Sequence, residues 1–423
     1  MLEEILDIRN IAKASKQVIQ NKGAGGVDGM QSDELRDYLT ASWASFRKEI
    51  LEGRYEPSAV KRVEIPKPQG GVRKLGIPTV KDRLIQQAIS QWTSTKWESE
   101  FSPNSYGFRP NKNAHQAVEQ AKEYLNQGKI FIIELDLEKF FDFVNHDKLM
   151  SLVSRKVTDK RTLRLIGKYL RNGVMENGLV KPQSKGTPQG SPLSPLLSNI
   201  MLHELDKELM KRGLSFVRYA DDCSIYVSSR KSAERVMTSV TEYIEQKLKL
   251  KVNKEKSKIS EPAESTLLGF SFYNRKGEWR PRIAKKSVDR MRKKIKETFK
   301  RNKPDYPDKQ YKAFWAVVRG WVNYFKMADC KSILQYLDGL LRTRIRIIHW
   351  HKWKRPKTKM RNLLRLKVPK WKAYQWANSS LKSCRIAHSP ILQTTLSNAY
   401  LRKQGIPSFY EGYLSKELQT QMF

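Results

Sequence analysis

The run Phe216-Val-Arg-Tyr-Ala-Asp-Asp-Cys-Ser-Ile-Tyr-Val227 sets two adjacent acids between hydrophobic arms. The arms alternate as strands do, so the segment predicts a strand, a tight turn and a second strand, with Asp221 and Asp222 at the apex. Turn chemistry alone could explain an aspartate there, because Asp tolerates the backbone geometry of turns. A second segment, Phe131-Ile-Ile-Glu-Leu-Asp-Leu-Glu-Lys-Phe-Phe-Asp142, ends another apolar strand at Asp136, where a lone acid is normally a cap or turn residue. If that strand pairs beside the hairpin, three carboxylates converge. Their repulsion and desolvation are costly unless a divalent cation neutralises them. Hard oxygen ligands favour Mg²⁺, which binds few carboxylates and takes further oxygens from substrate phosphates. Two such ions can activate an attacking 3′-hydroxyl and stabilise a departing pyrophosphate.

Charge points to the same partner class. The 423 residues carry 81 Lys+Arg against 43 Asp+Glu, a formal net charge of +38, which a polyanion such as nucleic acid is best suited to neutralise. The chain is no solvated basic tail, because 39% apolar and 10% aromatic residues are enough for a sizeable core. Residues 339 to 410 hold 17 Lys/Arg and no acid, together with Trp350, Trp353, Trp371, Tyr374 and Trp376. Cations interleaved with flat rings suit phosphates and unstacked bases. Core tryptophans under a solvated cationic helix face are the plainer alternative. Cys223, Cys330 and Cys384 are too far apart for a metal knuckle or a disulfide framework and suit a reducing compartment. The N-terminus, Met1-Leu-Glu-Glu-Ile-Leu, has acids where a secretory signal needs cations, and no apolar run approaches a membrane span.

The first 275 or so residues read as α+β. Periodicity predicts helices over 84–97, 114–125, 159–169, 194–211 and 233–248, and strands over 130–137, 216–219, 224–228 and 267–273. A mostly helical, basic C-terminal part follows, with helices over 287–300, 311–327 and 332–354. Residues 301–308, with two prolines, read as a loop. His349 and His351 are two apart, so on a helix they do not share a face and make no metal pair.

These residues resemble a known family. Tyr219-Ala-Asp-Asp222 is similar to the signature of reverse transcriptases, and Asp136-Leu-Glu-Lys-Phe-Phe-Asp142 to their first catalytic motif. Five further segments follow in the order seen in group II intron reverse transcriptases, or maturases. They are Arg62-Val-Glu-Ile-Pro-Lys-Pro-Gln-Gly-Gly-Val-Arg-Lys-Leu-Gly-Ile-Pro78, Ser105-Tyr-Gly-Phe-Arg-Pro110, Gly186-Thr-Pro-Gln-Gly-Ser-Pro-Leu-Ser-Pro-Leu-Leu-Ser-Asn199, Leu250-Lys-Val-Asn-Lys-Glu-Lys-Ser257 and Leu268-Gly-Phe270. Asn21-Lys-Gly-Ala-Gly-Gly-Val-Asp-Gly29 resembles the family's N-terminal extension, whose loop lies near template and primer. Arg319-Gly-Trp-Val-Asn-Tyr-Phe325 resembles its maturase thumb, and the likeness within the family is to compact bacterial class C members. The chain ends without the cysteine pairs or HNH-like run of the family's endonuclease domain.

The resemblance implies a right-hand polymerase fold: fingers and palm with an antiparallel palm sheet, plus a mostly α-helical thumb/maturase domain. It implies an N-terminal extension over 1–40, fingers and palm over 41–275, thumb/maturase over 276–385, and a short basic segment over 386–423 as the remnant of a DNA-binding region. Asp136, Asp221 and Asp222 would bind two Mg²⁺, with Mn²⁺ able to substitute, Asp222 less directly, and the Leu137 backbone carbonyl would add a ligand. Lys67 and Arg73 would hold the incoming triphosphate, Gln189 would stand beside the nucleotide, and Phe140 would be the steric gate against a ribose 2′-hydroxyl. Ser191 departs from many relatives, which have a second glycine there. The implied activity is RNA-directed DNA polymerisation in the bacterial cytoplasm on an RNA template and DNA primer with dNTPs. Group II intron RNA and target DNA are the further partners, for splicing and retrohoming. A host-adopted reverse transcriptase of defence or repair is one alternative, and an RNA-binding splicing cofactor without polymerase activity another.

Overall fold

Contacts divide the chain after Ser265, into one unit of Met1–Ser265 and another of Thr266–Phe423. The structure, a computed structural model, describes residues 1–66, 71–176, 179–181, 186, 190–300 and 308–420.

The first unit contains strands β1 (Val60–Pro66), β2 (Val72–Ile77), β3 (Phe131–Leu135), β4 (Val174–Glu176), β5 (Leu179–Lys181), β6 (Ser215–Tyr219), β7 (Asp222–Val227) and β8 (Lys258–Ser260). They form two sheets, ordered β2-β1-β4-β5 and β6-β7-β3-β8. The second is antiparallel throughout. Helices Ala114–Asn126, Ser194–Lys211 and Arg230–Gln246 pack against it. Strand β3 lies between β7 and β8, and its Ile132, Ile133 and Leu135 are all buried. That accounts for its nearly unbroken apolar run, since a strand covered on both faces cannot alternate cleanly with polar residues. The helix Ser194–Lys211 is buried around most of its circumference, with Leu196, Leu197, Ile200, Met201 and Leu205 in the core.

Local signals start several helices of this unit. Thr79 caps the helix Val80–Trp97 by accepting from the Asp82 N–H, and Asn113 and Gln116 form a reciprocal capping box for Ala114–Asn126. The paired strands β1 and β2 were not foreseen, because Arg62, Glu64, Arg73 and Lys74 interrupt the apolar pattern of a largely exposed hairpin.

The second unit opens with β9 (Phe270–Arg275) and β10 (Glu278–Ile283), joined through Lys276 and Gly277 at φ +53° and +88°. Positive φ at both central residues matches the twist of a tight hairpin. The strand expected over 267–273 begins only at Phe270, because Leu268 and Gly269 take φ +52° and +86° and break extended geometry. Helices Lys285–Thr298, Asp308–Phe325, Lys331–Lys352, Pro356–Arg365 and Lys370–Ala377 follow, with shorter ones leading to Phe409–Thr420. The core here is aromatic: Phe325 lies 4.9 Å from Phe270 between ring centroids, and Trp321 lies 5.8 Å from Phe409. Buried Asp338 accepts from the Ser408 hydroxyl and from the backbone N–H of Phe409 and Tyr410, so a side chain 71 residues away satisfies the open donors of the last helix. Trp350 is 5% exposed and belongs to this core, which removes it from the expected nucleic-acid surface. Burial also holds His349 below the ordinary histidine range, and among the described residues no metal-binding cluster includes it.

Candidate active site

Strand register brings the expected carboxylates to one end of the second sheet. Leu135 pairs with Cys223, so the next step along the ladder sets Asp136 opposite Asp222. Directly opposed residues project from the same face, and Glu134, paired with Ser224, shares that face. Asp221 occupies the turn with Ala220, because Tyr219 pairs with Asp222. The residues 250–257 clamp Asp136: Asn253 N–H donates to the Asp136 carbonyl at 2.8 Å, and Asp136 N–H donates to Ser257 Oγ at 3.0 Å. Bonds from Asn253 N–H to Asp136 and from Glu138 N–H to the Lys251 carbonyl flank the Leu137–Val252 bridge. In such a pair the Leu137 carbonyl faces away from Val252, toward the side of the strand where β7 lies.

Burial and the concentration of negative charge raise Asp221 and Asp222. Asp222 is pushed up to about 6, first by the protein around it and then by the charges of Asp221, Asp136 and Glu134, although its own surface still reaches solvent. Asp221 is raised by burial foremost and by Asp136, while a backbone N–H, Arg73 and Arg218 pull the other way. Lys256 Nζ stands 3.7 Å from Asp136 Oδ2, and Lys258 Nζ 3.9 Å from Glu134.

A buried bracket that sequence reasoning missed holds the turn. Arg218 is fully buried and grips both oxygens of Asp206, through Nε at 2.7 Å and Nη2 at 2.6 Å. Nη1 donates to Asn199 Oδ1 at 3.0 Å and to the Ala220 carbonyl at 2.9 Å, and Nη2 to Ser105 Oγ at 2.7 Å. A planar fork suits this divided duty, which a lysine could not perform. Burial would lower the guanidinium, but the Asp206 charge and hydrogen bonds outweigh it and hold Arg218 above its ordinary value. Residues 104–107 add to the edge of β6, with Tyr106 N–H donating to the Arg218 carbonyl and Arg218 N–H to the Asn104 carbonyl. Gly107 touches the turn itself, since a Cβ there would lie 2.3 Å from Ala220 N. Ala220 takes φ +58°, a left-handed conformation that an L-residue keeps only where its surroundings enforce it. The sequence signal for this bracket was an arginine inside an otherwise apolar strand, with an aspartate on the preceding buried helix.

Beside Asp221 opens a cavity of about 730 Å³ walled by Arg73, Arg83, Phe141, Gly190 and Ser191 among others. Arg73 therefore lines the cavity beside Asp221. Gly190, at φ +114°, comes so near β2 that a Cβ would lie 2.8 Å from the Gly76 carbonyl. Ser191 Oγ hydrogen-bonds buried Gln86, tying this loop to the helix Val80–Trp97. Arg83, overlooked in the sequence, donates to the Ala24 carbonyl at 2.8 Å, which anchors it to the glycine-rich N-terminal loop. Phe140, expected as the gate, is 2% exposed and packed in the core, and its neighbour Phe141 supplies the pocket wall. The segment turns through Lys139 at φ +45° into a short helix, and that turn decides which ring faces inward. Lys67 and Gln189 lie outside the described residues.

Among the described residues no three His, Cys, Asp or Glu side chains stand ready as a complete metal cluster. The donors are nevertheless hard carboxylate oxygens that repel one another. That set fits a divalent cation held by one or two carboxylates, with substrate and water supplying the rest.

Comparison with known proteins places these features in context. Residues 65–272 match the family model "Reverse transcriptase (RNA-dependent DNA polymerase)", and residues 288–382 match "Group II intron, maturase-specific domain". "Protein YkfC" of Escherichia coli is 35% identical over 290 residues, 59% of this chain and 76% of that protein. The "Group II intron-encoded protein LtrA" of Lactococcus lactis subsp. cremoris is also 35% identical, over 48% of this chain and only 34% of its own length. Among solved structures, a chain of the "Partial Cas6-RT-Cas1--Cas2 complex" is 22% identical over 58% of this chain and 42% of that one, with a TM-score of 0.38, too low to specify the fold further. No helix among the described residues is long and apolar enough to cross a membrane.

Proposed function

The chain belongs to the group II intron-encoded reverse transcriptases, and from that premise we propose that it is an RNA-directed DNA polymerase whose C-terminal unit binds group II intron RNA to assist splicing and retrohoming. The observation that carries the reading is the alignment of Asp136 with Asp222 at the end of one sheet, with Asp221 in the adjoining turn and an arginine-walled cavity beside it.

Two Mg²⁺ ions, or Mn²⁺ in their place, would supply activation of the primer 3′-hydroxyl and charge neutralisation on the departing pyrophosphate. Asp136, Asp221 and Asp222 would hold them, with the Leu137 carbonyl as a further oxygen. Arg73, together with Lys67, binds the triphosphate of the incoming dNTP, a task to which a planar fork and a compact cation are each suited. Gln189 would stand beside the nucleotide. We assign the gate against the ribose 2′-hydroxyl to Phe141 rather than Phe140, because only Phe141 lines the cavity. The Arg218 bracket orients Asp221 by fixing the turn before chemistry begins, and preorganisation of this kind avoids reorganisation during reaction. The substrates on this reading are an RNA template, a DNA primer and dNTPs, and target DNA is a further partner in the bacterial cytoplasm.

The test is primer extension on an RNA template with Mg²⁺, comparing the native chain with Asp221→Asn/Asp222→Asn and offering dNTPs or NTPs. Template-length DNA from the native chain, lost in the variant and absent with NTPs, is the expected result. Intact RNA binding without synthesis by the native chain would instead favour a splicing cofactor.

A further inference from the structure

Several large rings of the second unit are buried in its core, and among its described large rings Trp371 and Tyr374, each 66% exposed, are the most open to solvent, ahead of Tyr336 at 49% and Trp315 at 38%. Both lie on the helix Lys370–Ala377, three positions apart, a spacing that sets side chains next to one another on a helix surface. The adjoining side of this helix is packed: Ala373 and Ala377 are buried. The helix Pro356–Arg365 packs against it, with Leu363 and Val368 also buried. Trp371 and Tyr374 are therefore left outside an element whose core side is already satisfied.

Their surroundings choose the occupant. Arg361, Arg365, Lys367 and Lys370 are all exposed, and Lys372 Nζ stands 5.1 Å from the Trp371 ring centroid. From residue 339 to 410 there is no acid to balance them. A protein partner with ordinary mixed charge would gain little from such a rim. A phosphodiester chain neutralises it and carries flat bases suited to the rings. Bases paired in a duplex hide their faces, whereas unpaired ones stack on exposed aromatics irrespective of sequence.

We propose that Trp371 and Tyr374 form a stacking platform for adjacent unpaired nucleotides, whose phosphates are held by the surrounding lysines and arginines. The inference rests on the reading of the C-terminal unit as nucleic-acid-binding and specifies what that unit takes: a single-stranded segment, not a helix. Unpaired RNA and single-stranded DNA present the same stacking faces, so the experiment includes both.

The experiment is photocross-linking of the full chain to an unstructured oligonucleotide carrying 5-bromouridine or 5-bromodeoxyuridine, followed by peptide mapping, with affinity measured in parallel across a salt series. Cross-links at Trp371 or Tyr374 are expected. Trp371→Ala/Tyr374→Ala should weaken single-strand binding by at least about 5- to 100-fold, the scale of losing one stacked base. The slope of log Kd against log[salt] should not change, because no phosphate contact is removed. Trp371→Phe/Tyr374→Phe should keep most of the affinity, and blunt duplex binding should not change in any of these variants. Lys370→Ala/Lys372→Ala should instead reduce the salt slope. A loss seen with RNA alone assigns the platform to RNA, and a loss with both sugars to unpaired nucleotides in general. Unchanged single-strand affinity in the alanine variant, with no cross-link in the 370–377 helix, overturns the platform. Failure of the native chain to bind any nucleic acid overturns the underlying reading instead.

Discussion

Replacing Arg218 separates what stabilises the catalytic turn from what positions it. Arg218 and Asp206 are both 0% exposed, and the guanidinium makes five hydrogen bonds to Asp206, Asn199, Ala220 and Ser105. Arg218→Met keeps the volume but strands the Asp206 carboxylate in the core. Removing one partner of a buried pair costs about 3–5 kcal/mol, mostly the penalty of the unpaired charge. Adding Asp206→Leu removes that charge, and a buried pair replaced by apolar groups is often neutral or stabilising, so stability should return to within about 1–2 kcal/mol of native. The tether to the Ala220 carbonyl does not return. With it goes the restraint on the left-handed turn that aims Asp221, and a misplacement of about 1 Å at a reacting centre costs on the order of 100-fold in rate. Urea unfolding followed by circular dichroism reads the first quantity, and single-turnover primer extension at saturating dNTP and Mg²⁺ reads the second. A double variant with native stability and about 100-fold slower extension is the expected result. Recovery of the native rate along with the stability would refute a positioning role and leave the bracket as scaffold only.

The neighbouring contacts make related predictions. Gly107→Ala should slow extension by a comparable factor of about 100 without unfolding the chain, since its Cβ would push on Ala220 N; a native rate would mean the turn yields freely. Phe141→Val should raise ribonucleotide incorporation about 10-fold or more in competition assays, whereas Phe140→Val, a truncation in the core, should lower stability by roughly 1–3 kcal/mol with no change in sugar selectivity. His203 is buried against Phe101 and Trp97, and neither ring nitrogen has a hydrogen-bond partner. Burial, followed by Lys207, lowers its pKa below the usual 6.5. A base depressed in the folded state contributes stability above its unfolded pKa and loses it as pH falls below that value. The native chain should therefore lose up to about 1.4 kcal/mol per pH unit below 6.5 through this residue, and His203→Phe should flatten that limb in urea titrations at stepped pH.

Much of the site is legible in the sequence alone. The hairpin of β6 and β7 was readable because its signal is local: two apolar arms, two acids and a tight turn within Phe216 to Val227. The long helix Ser194–Lys211 was found with its observed ends, whereas Arg230–Gln246 begins three residues before the periodicity suggested, where the Ser229 cap accepts the Ser232 N–H. Hairpin β1–β2 escaped because its burial is slight and its pattern is interrupted by charge.

The sequence by itself determined the chemistry on offer: which acids end which strands, the excess of cations, and the motif order that resembles one family. Such properties depend on residues close together in the chain, so they survive without knowledge of the fold. Only tertiary structure decided which of two adjacent phenylalanines walls the cavity, and that Trp350 is core while Trp371 and Tyr374 stay exposed. It also decided that Arg218 finds its partners at Ser105, Asn199 and Asp206. In each case the outcome depends on what covers one face of a strand or helix. The covering residues come from distant parts of the chain, where periodicity carries no information about which neighbour arrives.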